Sequence, residues 1–563
     1  MSSENKAARA EVVRLAGPVF EWTLGGGHGG DEADVSVWPT ALSVTSPSGR
    51  RLTVPAFRAG HRWSARLWAD EPGTWQWRTG AADGAASSQG GADGCAHGIA
   101  MEGGIENSPE EGSRWCESPL RTGAMGRHFE TRDGRPFFYL GDTAWFVTFK
   151  GTEPDWERYL DERAAQGYSA VQIHLLPFKW DEPDPEGNLP FVDEDVARPN
   201  EPYFARVDRF CALAAARGLY VMMALMWGGN RRDLAASHFS AEQAVAFARY
   251  AVARYAAFPM LWSLSGDAPY VEDLEKWEAV GAAVEATDPH HHPTTNHLPP
   301  TMNWRFLHHA SAWHDFHMLQ TGHRRGNTAD IAALPAAYWM SPPAKPVVNG
   351  EPWYEGHPEM EGWGERFQRW RREGGTGERP AYGAPFTAFD ARYAFWTSVL
   401  GGATMGHGYG AQGLWNWKRA GDSEDHLGGP QIGPTWEEGL ALAGGRECGI
   451  GAQLLRAVPW WKLEPCPERV EVTGGPPHAE GSPLKPACAR AAGEAWVAYV
   501  PAVPGPEGRV TLKGLEDGDW SATWIDPRTG ARHDAGRARA ALDGCWRTPP
   551  TPHDDDWVLV LVR

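Results

Sequence analysis

Apolar positions fall along the chain in three textures. From about residue 8 to 100 they alternate with polar ones in short stretches, 35–38 (VSVW), 51–54 (RLTV) and 74–77 (TWQW), separated by Gly, Pro and Asp turns. A period of two with frequent breakers predicts short half-buried strands, and many such strands without a helical period predict a β-sandwich. Residues 79–112 are rich in Gly, Ala and Ser, which predicts a loop, and a linker is expected over 101–125.

From 126 to 447 short apolar runs alternate with stretches of helical period. The runs are 137–141, 170–176, 219–226, 260–265, 294–297, 315–320, 346–349 and 414–417. Between most of them lie 154–166, with Trp156, Tyr159, Leu160 and Arg163 at helical spacing, then 203–217, 241–258, 271–287, 328–339 and 386–400. Eight strands alternating with helices predict an α/β fold, a (β/α)8 TIM barrel. A doubly wound open sheet shares this alternation, but it carries a Gly-rich phosphate turn after its first strand and none is present. From 450 to 563 the strands return at 470–472, 495–500, 509–512, 521–525 and 557–562, predicting a second β-sandwich. The expected order is an N-terminal β-sandwich (8–100), a linker (101–125), the barrel (126–447) and a C-terminal β-sandwich (450–563).

Composition narrows the function classes. The chain has 563 residues, 42% hydrophobic and 22% charged, a folded globular balance. No apolar run is long enough to span a membrane. Acidic residues number 72 against 53 basic, and the net charge of −19 argues against nucleic acid or an anionic membrane as partner. There are 30 tryptophans; such faces pack cores, and they also stack on the apolar C–H face of sugar rings. The first residues, MSSENKAARAEVVRLAG, lack the apolar segment of an export signal, so a cytoplasmic location is expected. Seven scattered cysteines without a C-x-x-C pair predict free thiols rather than a disulfide framework or zinc ribbon. No cofactor is implied, and a homo-oligomer is left open.

In a (β/α)8 barrel the chemistry lies at the carboxyl ends of the strands. The first end is followed by Asp142 and Trp145, the second carries His174, and the third runs into Trp227. The fourth gives Ser265-Gly266-Asp267, the fifth Asn296-His297, and the sixth Gln320 with His323 close behind. The seventh gives Glu351, Trp353, Tyr354 and Glu355; the last unit carries His407, Tyr409 and Trp415. Carboxylates and aromatics converging on strand ends point to a carbohydrate site. Asp267 and Glu351 follow strands on opposing sides of the barrel, as the two carboxyls of glycoside hydrolysis must. Asp267 could instead cap a helix or turn, Glu351 could be an exposed loop acid, and Glu355 competes with Glu351. Asp142 either binds sugar hydroxyls or caps a turn. His174, His323 and His407 are either donors to sugar hydroxyls or core and loop histidines. His290-His291-His292 reads as a loop, because adjacent residues cannot all turn to one ion; no metal is expected. A carbohydrate-binding barrel without catalysis and a metal-dependent barrel hydrolase are the competing classes. The first is disfavoured by the presence of both carboxylates, the second by the lack of clustered His and Asp after the first strand.

The segments PFFYLGDTAWF, YLDERAAQGYSAVQIHLLP, LWSLSGD, FHMLQTGH, NGEPWYEG and GHGYGAQGLWNW, in this order, resemble the apiosidase-like glycoside hydrolases. The N-terminal EWTLGGG to DEPGTWQWRT stretch resembles the β-sandwich that often precedes that barrel. WSATWIDPRTGARHDAG with DDDWVLVLV resembles the collagen-binding-type β-sandwich that often follows it. The resemblance implies a retaining, exo-acting glycosidase that takes a terminal sugar, such as apiose or another pentofuranose, from an oligosaccharide or glycoside. It implies an Asp after the fourth strand as acid/base and a Glu after the seventh as nucleophile, the positions of Asp267 and Glu351. Related barrels often carry Gly-Gly-Asp where this chain has Ser265-Gly266-Asp267.

Overall fold

The computed structural model describes residues 11–26, 41–80, 101–108, 115–116, 118–179, 181–228, 235–268, 270–360, 366, 369–370, 372–373, 381–422, 433–473, 484–501 and 509–563. At its centre eight parallel strands close into a barrel in sequence order. They are Tyr139–Thr143, Ala170–His174, Tyr220–Trp227, Met260–Gly266, Thr294–His297, His317–Gln320, Val347–Glu351 and Gly406–Gly410. Runs such as YVMMALMW are apolar at every position because each strand is covered by side chains inside and helices outside, and the third, fourth and seventh strands are buried throughout. The helices start where the sequence offers caps. Thr152 and Asp155 form a capping box before Glu153–Ala165, and Thr387 with Asp390 does the same before Ala388–Gly401.

The eighth strand is not the expected 414–417, which forms turns, but Gly406–Gly410. Its glycines hide it from a search for apolar runs, and packing requires them. A Cβ on Gly406 would lie 1.8 Å from the Tyr139 carbonyl oxygen, and one on Gly408 2.2 Å from that of Gly350. Closing the barrel here brings backbone against backbone.

The amino-terminal strands form one seven-stranded antiparallel sheet. Strand Arg51–Ala59 pairs with Ala41–Thr45 through its first half and with Arg62–Trp68 through its second, so the sheet folds over on itself. Trp22, Leu42, Val44, Leu67 and Trp75 fill the space between the halves. Positions 35–38 lie outside the described residues. The expected linker at 101–125 is corrected in part: Glu102–Asn107 is the last strand of this sheet, paired with Gly73–Gly80. The expected barrel border at 447 falls inside the helix Ala443–Arg456, which packs on Ala388–Gly401. Beyond it, sheets of six and three antiparallel strands face each other across Val510, Leu512, Trp520, Trp524, Leu559 and Leu561.

Both flanking units share one apolar core with the barrel, which runs from Phe57 and Trp68 to Val497 and Tyr499. Buried arginines pin each seam. Arg66 reaches Glu21 at 2.5 Å and Asp208 at 2.7 Å, while Arg254 joins Asp208 and Glu201. Arg392 joins Asp556 at 2.9 Å and Glu447 at 2.6 Å.

Candidate active site

The floor of the barrel mouth is a polar layer. Tyr139 donates to Gln172 at 2.8 Å, and the Gln172 amide donates to Thr143 Oγ1 at 2.7 Å and to the Gly350 carbonyl at 3.0 Å. This fixes the strand bearing Glu351 against the first and second strands. Glu351 ends the seventh strand, buried except for 6% of its surface. Gln320 Nε2 donates to its Oε1 at 2.7 Å, His323 Nε2 lies 3.1 Å from the same oxygen, and His297 Nε2 lies 3.2 Å from Oε2. Burial alone would raise this carboxyl; the hydrogen bonds and charges of His297 and His323 overcome it and hold Glu351 well below the ordinary glutamate range. Tyr354 lies against the same group, its ring 4.5 Å from that of His323, and its hydroxyl is raised by burial and then by the Glu351 charge.

Asp267 stands just past the fourth strand with φ 49°, in the left-handed region, its amide bonded to the His297 carbonyl at 3.2 Å. A non-glycine residue held there costs on the order of 1–3 kcal/mol, and such strain gathers at functional sites. It caps no helix; the next one begins at Leu274 with Asp273 as its cap. Its side chain is 36% open, and Oδ1 is 4.0 Å from His297 Nδ1. Desolvation, and then the Glu351 charge, push it up to about 7, against a smaller lowering by His297. Glu351 is therefore ionised near neutral pH, while Asp267 holds its proton below about 7 and releases it above. Asp267 Oδ1, His297 Nδ1, Gln320 Oε1 and His323 Nδ1 are buried without a hydrogen-bond partner among the described residues. Four such atoms on the residues around Glu351 are what a polyhydroxylated ligand would satisfy.

One wall is aromatic. His174 lies 4.1 Å from Trp227 and 5.1 Å from Trp145, and the two tryptophans are 5.1 Å apart, ring centre to ring centre. Both also border His297 at 5.6 Å. Gly266 makes room for this wall, since a Cβ there would come within 1.8 Å of the Trp227 ring. Trp415, half-buried, packs edge-on against Phe146 and faces His357.

Of the sequence candidates, the structure gathers Asp267, Glu351, Gln320, His323, Tyr354, Trp145, His174 and Trp227, with Trp415 at the rim. Four others turn away. Asp142 faces outward and pairs with Arg163 at 3.0 Å, both side chains fully buried. His407 packs edge-on against Phe395 of the helix layer, and burial lowers it to about 3. Tyr409 donates to Glu355 at 2.6 Å, behind the strand. Trp353 is buried against Phe386 and Tyr393, its indole N–H bonded to the Arg324 carbonyl. Outward neighbours on the barrel strands and the turn of the chain after the seventh strand account for all four. Glu355 is held by Tyr409 and by the Gly444 amide at 2.8 Å, apart from the mouth. His297 is the site residue that sequence ranking passed over. Its one signal was a polar residue ending the short fifth strand, TTNH. The three adjacent histidines diverge: His291 meets Glu285 at the surface, while His292 meets Asp288 inside.

Residues 124–462 match the family model described as apiosidase-like, catalytic domain. Residues 484–562 match that of a collagen-binding-type domain of a collagenase. No curated protein matches the chain. A solved structure described as a glycoside hydrolase aligns with a TM-score of 0.65 at 21% identity, covering 79% of this chain and 97% of its own. A family 5 glycoside hydrolase from Bacteroides vulgatus ATCC 8482 aligns with 0.65 at 21%, covering 79% and 93%. A second structure from that organism, also described as a glycoside hydrolase, aligns with 0.66 at 15%, covering 97% of this chain and 99% of its own. At such identities the likeness is one of fold.

Proposed function

We propose that this chain, which belongs to the apiosidase-like glycoside hydrolases, is a retaining, exo-acting enzyme that removes a terminal sugar from an oligosaccharide or glycoside. The observation that carries the reading is the pair Asp267 and Glu351, both bordering His297 at the strand ends, the first carboxyl raised and the second lowered from its ordinary range. Hydrolysis with retention needs one carboxylate ready to attack and one carboxylic acid ready to protonate. In the first step Glu351 attacks the anomeric carbon while Asp267 gives its proton to the departing glycosidic oxygen. The C–O bond breaks, leaving a glycosyl ester on Glu351. In the second step Asp267, now a carboxylate, takes a proton from water as that water attacks the anomeric carbon and frees Glu351.

Binding follows from the walls. Trp145, Trp227 and Trp415 offer apolar edges to the sugar ring, and Gln320, His323 and Tyr354 offer hydrogen bonds to its hydroxyls while holding Glu351. The family supports a small branched pentofuranose such as apiose as the sugar. Asp267→Asn and Glu351→Gln keep shape and remove the chemistry, so each should lower kcat by orders of magnitude without unfolding the protein. Azide should rescue Glu351→Ala, with inversion at the anomeric carbon. A panel of glycosides including pentofuranosides, with the first-formed anomer read by NMR, tests the sugar and the stereochemistry. Wild-type turnover in either carboxamide variant would overturn the assignment, and an inverted first product would make Glu351 the base of an inverting enzyme.

A further inference from the structure

Resting on that catalytic reading, we infer that His297 is a positioning residue which decides, at each stage of the cycle, which of the two carboxyls carries the proton. The geometry is asymmetric. The ring is fully buried at the end of the fifth strand, with Nε2 3.2 Å from Glu351 Oε2 and Nδ1 4.0 Å from Asp267 Oδ1. Two carboxyls beside one ring repel when both are ionised, and a cation between them favours the ionised form of the nearer. The nearer is Glu351, so the resting proton goes to Asp267.

Among the described residues the other neighbours of the ring are aromatic. Trp145 packs edge-on at 5.6 Å and Trp227 lies at the same distance, neither of them charged. His174 stands against both tryptophans, and His323 contacts the other oxygen of Glu351. Among the described residues, Asp267 and Glu351 are the anions that face the imidazole. Burial disfavours the imidazolium, but Glu351 and then Asp267 outweigh it, and His297 is raised above the ordinary histidine range.

The consequence is a constant charge around the ring. At rest the imidazolium faces ionised Glu351 and protonated Asp267. When the ester forms, the Glu351 charge is consumed in the new bond and the Asp267 proton leaves on the glycosidic oxygen, so the single anion is now Asp267. When water returns a proton to Asp267 and its hydroxyl to the sugar, the bonding pair of the ester returns to Glu351. His297 keeps one anionic neighbour throughout and never gains or loses a proton itself. It lowers the Asp267 carboxyl most when that group must act as a base.

The test is an NMR titration of the full chain with 15N-labelled histidines, alongside pH profiles of kcat/KM. In the wild type, His297 should stay doubly protonated at neutral pH. Its pKa should fall in Glu351→Gln, and fall less in Asp267→Asn because that oxygen is farther. In His297→Gln, kcat should drop about 100-fold, the scale of losing one fixed charge-stabilising group. The acid limb of its profile should move up by about one to three pH units as Glu351 loses its cation. A neutral ring in the wild type, equal falls in the two carboxamide variants, or an unchanged pH profile in His297→Gln would each overturn the inference. The titration holds even if His297→Gln does not fold. Wild-type turnover in Glu351→Gln would sink the catalytic reading instead, whatever the titration gives.

Discussion

Tyr409 Oη donates to Glu355 Oε2 at 2.6 Å, and that bond separates two glutamates that lie four residues apart. Glu351 ends the seventh strand among Gln320, His323 and His297. Glu355 is turned behind the eighth strand, where Tyr409 and the Gly444 amide close it off and burial raises its pKa. Glu355→Gln should therefore leave kcat within a few-fold of wild type and lower stability by about 1–3 kcal/mol, the cost of weakening a buried hydrogen bond to a charged group. Glu351→Gln should instead lower kcat by orders of magnitude. Parallel thermal melts and turnover measurements on the two variants check this; an inactive, stable Glu355→Gln protein would move the nucleophile four residues along.

Asp267 supplies the pH dependence. Its pKa is raised in the folded protein to about 7. The first step needs its proton, so kcat/KM should fall as pH rises through about 7, an apparent value that belongs to the carboxyl pair. The stability has the same sign. The unfolded chain releases this proton near pH 3.8, so between there and about 7 the native state binds more protons and loses stability as pH rises. Asp267→Asn removes that penalty and should raise the melting temperature above neutral pH but not in acid. Glu351, depressed instead, contributes stability that is present above its unfolded value of 4.5 and is lost as pH falls through its lower folded value.

Sequence reading reaches some links of this chain and not others, for physical reasons. Most of the barrel strands are visible because burial on both faces demands apolar runs, whereas the fifth, TTNH, shows only by its two β-branched residues and its place in the alternation. The eighth is hidden because close backbone packing demands glycine at Gly406 and Gly408, and the Tyr354 ring demands it at Gly410. Strand ends are readable, and they deliver Asp267, Glu351, Gln320 and His323. Facing is not. Asp142 beside Thr143, and His407 and Tyr409 between glycines, differ from their inward neighbours by one residue, which places a side chain in the helix layer rather than the mouth. His297 escaped because its importance lies in two distances, and distances to residues 30 and more positions away leave no local pattern.

The tryptophans divide by that facing. Trp227→Ala should open the aromatic wall and lower kcat/KM by an equivalent of about 1–3 kcal/mol with a modest loss of stability. Gly266→Ala should act in the same direction, since its methyl group would occupy the Trp227 ring position. Trp353→Ala should mainly destabilise, by about 3–5 kcal/mol, the scale for truncating a large buried aromatic. Steady-state kinetics beside denaturant melts separate the two classes; a pure KM effect in Trp353→Ala would return that residue to the substrate side.

The last expectation concerns the seam with the carboxyl-terminal sandwich. Arg392, on the helix Ala388–Gly401, is nearly buried, and its fork meets both oxygens of Asp556 at 2.9 Å while its third nitrogen meets Glu447 at 2.6 Å. Tyr499 completes the shell of Asp556, also at 2.9 Å. Removing the arginine strands buried Asp556 and leaves Glu447 only the more distant Arg446 at 3.8 Å, which costs about 3–5 kcal/mol, far more than the net worth of the intact pair. Arg392→Ala should therefore loosen the sandwich from the barrel at neutral pH. Replacing all three charges with apolar residues of similar volume should cost little, because the desolvation they impose disappears with them. Calorimetry distinguishes these outcomes. A single variant that melts like the wild type would mean that the apolar contacts of Tyr393, Trp396 and Tyr499 hold the seam without the arginine.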